Sequence, residues 1–136
     1  MGRVIPTCIA LVLCEAVSRP APTGEASVLR AFDYFEVVSS PRLVKPFTVW
    51  MQLRNGNGAA DMRLVMDYIP PADLDPVEVI AVQFSLQFRN PHQVVEHEAI
   101  FENGLLFEVE GRYRLTLLAN GACLMQRDFT VVRTGT

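Results

Sequence analysis

The segment Glu78–Phe88, with the sequence EVIAVQFSLQF, carries the clearest secondary-structure pattern in the chain. Its largest apolar residues occupy every second position: Ile80, Val82, Phe84, Leu86 and Phe88. The positions between them are smaller or more polar. Side chains of a strand alternate between two faces, whereas those of a helix repeat about every 3.6 residues. The pattern therefore predicts a half-buried β-strand.

Similar apolar runs recur along the chain between clusters of Gly, Pro and Asn, and sustained helical periodicity is missing from the sequence. In chain order the eight predicted strands are Thr7–Glu15, Ser27–Phe35, Pro46–Arg54, Asp61–Ile69, Glu78–Phe88, Val94–Phe101, Arg112–Ala119 and Ala122–Val132. Short strands at such spacing, separated by turn signals, are typical of a sandwich. We predict a single all-β domain over residues 1–136, an immunoglobulin-like antiparallel β-sandwich.

The predicted strand order and register of this sandwich depend on two turns. Asn55-Gly56-Asn57-Gly58 is a strong hairpin signal between the third and fourth strands. We place these two with the seventh and eighth strands in one sheet, and the first, second, sixth and fifth in the other. At Asn120-Gly121 a two-residue loop would bury Gln126 and Asp128, which is costly. We expect a three-residue loop instead, which turns inward the residues Cys123, Met125, Phe129 and Val131.

The segment Gly111-Arg112-Tyr113 resembles the tyrosine corner of immunoglobulin-like sandwiches. There the phenol hydroxyl bonds back to the backbone of the preceding loop. Leu115 stands where antibody domains carry the second cysteine of their inter-sheet disulfide. The resemblance therefore implies a version of the sandwich without that disulfide.

Composition and charge exclude several functional classes. Half of the residues are hydrophobic and the net charge is only -3, which argues against disorder. Acidic residues outnumber basic ones by 15 to 12, so binding of nucleic acid through a basic face is not expected. The cysteine count of three is odd, which argues against a disulfide framework. We expect three buried, reduced thiols in a cytoplasmic protein.

Residues 1–14 have two interpretations. Arg3 followed by an apolar run is similar to a short signal or lipid-anchor segment, but Pro6 interrupts the run and Leu13 stands where a small residue is needed. The run is also shorter than the roughly 20 residues of a membrane-spanning helix. The same residues suit a first strand, which is the interpretation we favour, with no membrane as partner.

A series of short motifs follows a characteristic order along the chain. It includes Cys14–Val17, Pro22–Gly24, Pro46–Trp50, Gly104–Phe107 and Gly111–Arg114. Together they resemble a widespread bacterial domain-of-unknown-function family of small single-domain β-sandwich proteins, from about Pro6 to Val132. The resemblance implies a cytoplasmic sandwich with an N-terminal strand and supplies no activity, ligand or catalytic residue. His97 departs from it by standing at an apolar position.

Candidate chemical groups are sparse. Glu96-His97-Glu98 is the densest polar cluster, but on a strand the histidine points away from both glutamates. Asp73 and Asp75, with Asp67 nearby, provide fewer oxygens than a calcium site requires. We therefore expect no catalytic set, metal or cofactor. The alternative is a small-ligand binder or enzyme with a cleft near Asp73, Asp75 or His97.

The face around Trp50 is the candidate partner surface. Trp50 alternates with apolar residues of the third strand, so it is predicted to point outward, where a tryptophan beside threonine and arginine is typical of an interface. The predicted surface comprises Trp50, Thr48, Gln52, Val65, Arg114, Thr116 and Leu118. Alternatively, Trp50 packs under Arg114 or Arg54 as a cation–π pair. We predict a non-catalytic interaction or assembly module that binds a protein partner or a second copy.

Overall fold

The computed structural model describes residues 4–18, 27–38, 46–72, 74–107 and 109–134. Within these ranges there are nine strands and no helix, so the all-β prediction is confirmed. The strands are β1 (Thr7–Ser18), β2 (Ser27–Ala31), β3 (Tyr34–Val38), β4 (Phe47–Arg54), β5 (Gly58–Ile69), β6 (Val77–Phe88), β7 (Val95–Phe101), β8 (Gly111–Ala119) and β9 (Ala122–Thr134).

The strands form two sheets. One has four strands in the order β2-β1-β4-β7, and the other has five in the order β3-β9-β8-β5-β6. Neighbouring strands run antiparallel except β3, which runs parallel to β9.

The core lies between the two sheets and is built from alternate residues of each strand. Val49, Met51 and Leu53 on β4 are 0% exposed, and Leu115 and Leu117 on β8 are equally buried. Burying each such side chain contributes about 1.5–3 kcal/mol. The period-two pattern in the sequence thus correctly identifies the inward faces of both strands.

The predicted sheet membership of the third and fifth strands is wrong. β4 pairs with β1 and β7 in the four-stranded sheet, while β6 pairs with β5 in the five-stranded sheet. The segment Asn55–Gly58 closes no hairpin because β4 and β5 belong to opposite sheets. Gly56 passes against the ring of Phe88, where a Cβ atom would lie 2.8 Å from ring carbons. This close approach allows the chain to cross from one sheet to the other.

The predicted second strand is two strands in different sheets. Phe32 N–H donates to Leu13 O at 2.9 Å, which ends the pairing of β2 with β1. One residue later, Asp33 O accepts a hydrogen bond from Thr130 N–H at 3.0 Å, and β3 then continues along β9. This change of hydrogen-bonding partner from β1 to β9, between two adjacent residues, explains why nine strands form where eight were expected.

The turn at Asn120-Gly121 differs from the prediction, yet most of the predicted inward face forms. Ala119 lies opposite Ala122, so the loop has two residues, with φ of 49° and 85°. Leu117 lies opposite Met125 and Leu118 opposite Cys123, which leaves Leu124 as an extra residue in a bulge. The bulge shifts the register by one residue and so reconciles the turn preference with burial of the apolar face. Phe129 and Val131 are buried as expected.

Two further expectations have different outcomes. The Tyr113 hydroxyl donates to the Val109 carbonyl oxygen, which is the hydrogen bond expected of a tyrosine corner. The expectation of three buried thiols is wrong for Cys123, which is exposed, whereas Cys8 and Cys14 are buried; all three are free. Cys123 is exposed because the two-residue loop sets it opposite the outward Leu118, before the Leu124 bulge shifts the register.

Candidate partner-binding surface

Trp50 points to the outer side of the four-stranded sheet, as its position in the sequence predicts. Its neighbours Val49 and Met51 are fully buried, whereas Trp50 is partly exposed. In the register it lies opposite Val12 of β1 and Glu98 of β7.

The predicted seven-residue partner surface is not one face. Thr48, Trp50 and Gln52 belong to β4 in the four-stranded sheet. The other four lie on the outer side of the five-stranded sheet: Val65, Arg114, Thr116 and Leu118. The error has one cause, since β4 pairs with β1 and β7 and not with β8. The two groups therefore lie on opposite sides of the sandwich, and Trp50 cannot pack under Arg114.

Part of the outer side around β4 is covered. Thr48 is 5% exposed and Cys14, which lies opposite it, is 0% exposed. The Cys14 thiol lies 3.5 Å from the carbonyl oxygen of Thr48. Burial raises the pKa of this thiol, and the negative charge of Glu98 raises it further. Cys14 is thus a protonated, enclosed thiol. The prediction that Thr48 contributes to a partner surface is wrong, because its side chain is buried.

The indole nitrogen of Trp50 stands out among buried polar atoms. Among the described residues, Trp50 Nε1 is buried and has no hydrogen-bond acceptor. A buried donor without an acceptor costs about 1–3 kcal/mol, and such groups are rare in folded proteins. The sheet therefore holds the Trp50 ring in an orientation that gives its N–H no hydrogen-bond acceptor.

β7 completes the outer side next to Trp50. Glu96, Glu98 and Ile100 share this side because they lie opposite Gln52, Trp50 and Thr48. Ile100 is 60% exposed, and Gln52 Nε2 donates to Glu96 Oε1 at 3.4 Å. We define the Trp50 surface as the outward side chains Val12, Trp50, Gln52, Glu96, Glu98 and Ile100.

Sequence reasoning missed the β7 contribution to the Trp50 surface. The alternation of Glu96, Glu98 and Ile100 with Val95, His97 and Ala99 gives the correct parity for an outward face. What the sequence does not give is the pairing of β7 with β4, which joins segments more than forty residues apart, such as Gln52 and Glu96.

His97 points into the sandwich and not toward a cleft. Its ring stacks on Phe84 of β6, with centroids 4.1 Å apart and planes 6° from parallel. Burial lowers the pKa of the imidazole, and the charge of Glu98 only partly opposes this effect. His97 is therefore a neutral aromatic residue that packs between the edge strands β6 and β7. This packing explains how a histidine occupies an apolar position.

Asp75 and His97, two of the residues proposed for the alternative cleft, lie at different places in the fold. Asp75 is exposed in the loop before β6, and Asp73 lies outside the described residues. Within the described ranges no group of three or more His, Cys, Asp or Glu side chains could hold a metal ion. An open depression elsewhere is lined by the β5–β6 and β8–β9 segments, including Asp61, Arg63, Gln83, Ser85 and Asn120. Neither Asp75 nor His97 lines it.

On the far side of the sandwich, Arg114 belongs to an ion-pair cluster. Its Nε lies 2.8 Å from Asp128 Oδ1, and Arg112 approaches the same carboxylate at 2.6 Å. Hydrogen bonding from Arg114 lowers the pKa of Asp128. Both arginines thus form ion pairs with Asp128 within the five-stranded sheet, so their charges are already paired on this side of the sandwich.

No helix in the described part of the chain is long and apolar enough to cross a membrane. The sequence model of a family of unknown function, DUF6941, matches residues 9–132. This range extends from β1 to β9. No curated protein matches the chain.

Proposed function

The chain belongs to DUF6941, a family of unknown function, and we propose that it is a non-catalytic interaction module that binds a protein partner through the Trp50 surface. The observation that carries the proposal is the partly exposed Trp50 ring whose N–H is buried without an acceptor. Tryptophan is among the residues that most often dominate binding energy at interfaces. A rotation of the ring that presents its N–H to an acceptor on the partner would satisfy this donor.

The chemistry of the partner follows from the residues around the ring. Ile100 provides exposed apolar area, and Glu96 and Glu98 place two carboxylates beside it. A fitting partner presents an apolar side chain flanked by lysine or arginine. Complementary charge of this kind mainly raises the association rate and the selectivity of binding.

We propose a cytoplasmic location, for which the cysteines give support. All three are free, and Cys123 is exposed. Exposed thiols persist in reducing compartments, whereas disulfides are common in oxidising ones.

We further propose that the sandwich is of the immunoglobulin-like type. The Tyr113 hydrogen bond to Val109 supports this, because it is the interaction that fixes the tyrosine corner of that type. Crossing between sheets at Asn55–Gly58 and at Phe32-Asp33 supports it as well.

Affinity capture from the source cell tests the binding proposal when matched variants are compared quantitatively. Ile100→Lys reverses the character of an exposed position on the Trp50 surface. Thr130→Lys introduces the same charged side chain at an exposed position on β9, in the other sheet. We expect at least about a tenfold loss of the captured protein for Ile100→Lys, equivalent to 1.4 kcal/mol, and none for Thr130→Lys. Equal capture by both variants would contradict the proposal.

A further inference from the structure

β6 is a long edge strand with one paired side. It pairs with β5 over its whole length, from Val77 opposite Tyr68 to Phe88 opposite Gly58. Among the described residues no strand pairs with its other side. An unpaired edge of 12 residues presents a row of backbone donors and acceptors to any extended chain.

β6 lacks the features that normally protect an edge. Proteins blunt such edges with lysine, proline or inward-pointing charges. From Val79 to Phe88 the strand has no charged residue and no proline. Glu78 lies at the beginning of the strand and forms an ion pair with Arg63, whose Nη2 lies 3.1 Å from Glu78 Oε1. Most of the edge therefore offers no electrostatic obstacle to a second strand.

The inward side chains of β6 are incompletely buried. Ile80, Val82 and Phe84 remain partly exposed. Their partners on β5 lie one strand further from the edge and are at most 2% exposed: Met66, Leu64 and Met62. The difference arises because no described strand lies beyond β6. A strand added there would cover this apolar margin of the core.

Charge distinguishes β6 from the other edges. On β7, antiparallel pairing of two copies about His97 would set Glu96 opposite Glu98, and like charges directly opposite are destabilising. β2 exposes Arg30 and β3 exposes Glu36, so these short edges carry charge as well. Among the strands at the ends of the two sheets, β6 is therefore the one best suited to meet its own copy.

We propose that β6 pairs antiparallel with β6 of a second copy of this chain, about a two-fold axis near Gln83. Ala81 then lies opposite the second copy's Ser85, and Val82 opposite the second copy's Phe84. Even-numbered residues of one copy lie opposite even-numbered residues of the other, and odd lie opposite odd. The two five-stranded sheets therefore join into one continuous ten-stranded sheet, with the core-facing side chains of both copies on the same side. This dimer goes beyond the proposed function, because the Trp50 surface lies on the other sheet.

A charge-swap pair at the axis tests the dimer. Gln83 is exposed and lies opposite itself across the axis, so Gln83→Lys and Gln83→Glu each bring like charges together. The matched control is Gln126→Lys, at an exposed glutamine on β9 of the same sheet, separated from β6 by β8 and β5. Circular dichroism establishes that each variant is folded, and sedimentation velocity measures its mass.

The expected result is a mass of twice 15.2 kDa for the wild type and for Gln126→Lys, and 15.2 kDa for each Gln83 variant alone. Mixing the two Gln83 variants restores the doubled mass, because opposite charges then meet at the axis. A wild-type chain that remains monomeric at about 100 µM overturns the proposal, since Kd values near this concentration correspond to only ~5.5 kcal/mol of binding. A dimer that persists in both Gln83 variants also overturns the proposal, as does a failure of the mixed Gln83→Lys and Gln83→Glu variants to form a dimer.

Failure of this dimer leaves the proposed function intact. Ile100→Lys changes partner capture and not the mass, whereas the Gln83 variants change the mass and not partner capture.

Discussion

The hydroxyl of Tyr113 donates a hydrogen bond to the carbonyl oxygen of Val109, four residues earlier in the chain. Tyr113 is 2% exposed, and its ring packs edge-on against Phe107 and parallel to Phe129. The bond therefore ties the segment before β8 to the centre of the core.

Removing this hydroxyl tests what the bond contributes. We expect Tyr113→Phe to lower the free energy of unfolding by about 0.5–1.5 kcal/mol, the net value of one hydrogen bond. Tyr34→Phe is the control, because the Tyr34 side chain is 52% exposed. Urea titration of both variants measures the difference, and equal midpoints would show that the bond is dispensable.

The assignment of the inward face of β8 is tested at Leu117, which is 0% exposed. We expect Leu117→Ala to destabilise the protein by about 2–5 kcal/mol, since it leaves a cavity in the core. Leu74→Ala, at a residue that is 68% exposed, is expected to change stability by less than about 0.5 kcal/mol. A comparably small effect at Leu117 in denaturant titration would mean that the inward and outward faces of β8 are reversed.

The crossing at Gly56 is tested by adding a single methyl group. A Cβ atom in Gly56→Ala would lie 2.8 Å from the ring of Phe88, so we expect a loss of about 1–3 kcal/mol. Phe88→Ala removes the contacted ring atoms Cγ, Cδ1 and Cδ2. In a double-mutant cycle the two changes should cost less together than the sum of their separate costs. Strict additivity would indicate that Gly56 and Phe88 do not meet.

His97 gives a prediction for pH dependence. Burial holds the pKa of the imidazole in the folded protein below its ordinary value, so the unfolded chain binds the proton more readily. This contribution to stability is present above the unfolded pKa of about 6.5 and is lost as pH falls toward the folded pKa. His97→Phe preserves an aromatic contact with Phe84 and removes the titration. Between pH 7.5 and pH 5, about one unit or more on either side of that pKa, the wild type should lose more stability than the variant; equal losses would contradict the interpretation.

The sequence predicts local structure better than it predicts strand pairing. Alternation in Glu78–Phe88 and around Trp50 correctly assigns strand character and the inward parity, because each depends only on neighbouring residues. The turn signals at Asn55–Gly58 and Asn120-Gly121 both mark the ends of strands. They do not reveal that the first crosses between sheets or that Leu124 forms a bulge after the second, since both outcomes depend on packing of distant segments.

The same limit applies to the candidate surface. The outward orientation of Trp50 follows from its parity in β4, whereas its neighbours follow from sheet order. Placing β4 beside β8 in the prediction brought Arg114 to Trp50, and its actual position beside β7 brings Glu98 there. Non-local pairing therefore decides which side chains a partner meets.

Trp50 itself separates stability from binding. Trp50→Phe removes the buried N–H that lacks an acceptor, so we expect a change in the free energy of unfolding below about 1 kcal/mol. The same variant should weaken partner capture, because the indole donor would no longer be available to the partner. A large loss of stability without loss of capture would make Trp50 a purely structural residue.

Site-specific photo-crosslinking in the source cell tests whether a partner binds at the Trp50 surface. A photoreactive benzophenone side chain replaces Ile100, which is 60% exposed on that surface, and in a second sample replaces Thr130, exposed on β9 in the other sheet. Irradiation is expected to yield a discrete heterologous adduct from position 100, with none from position 130. Absence of an adduct at position 100, or the same adducts from both positions, would show that no partner binds at the Trp50 surface.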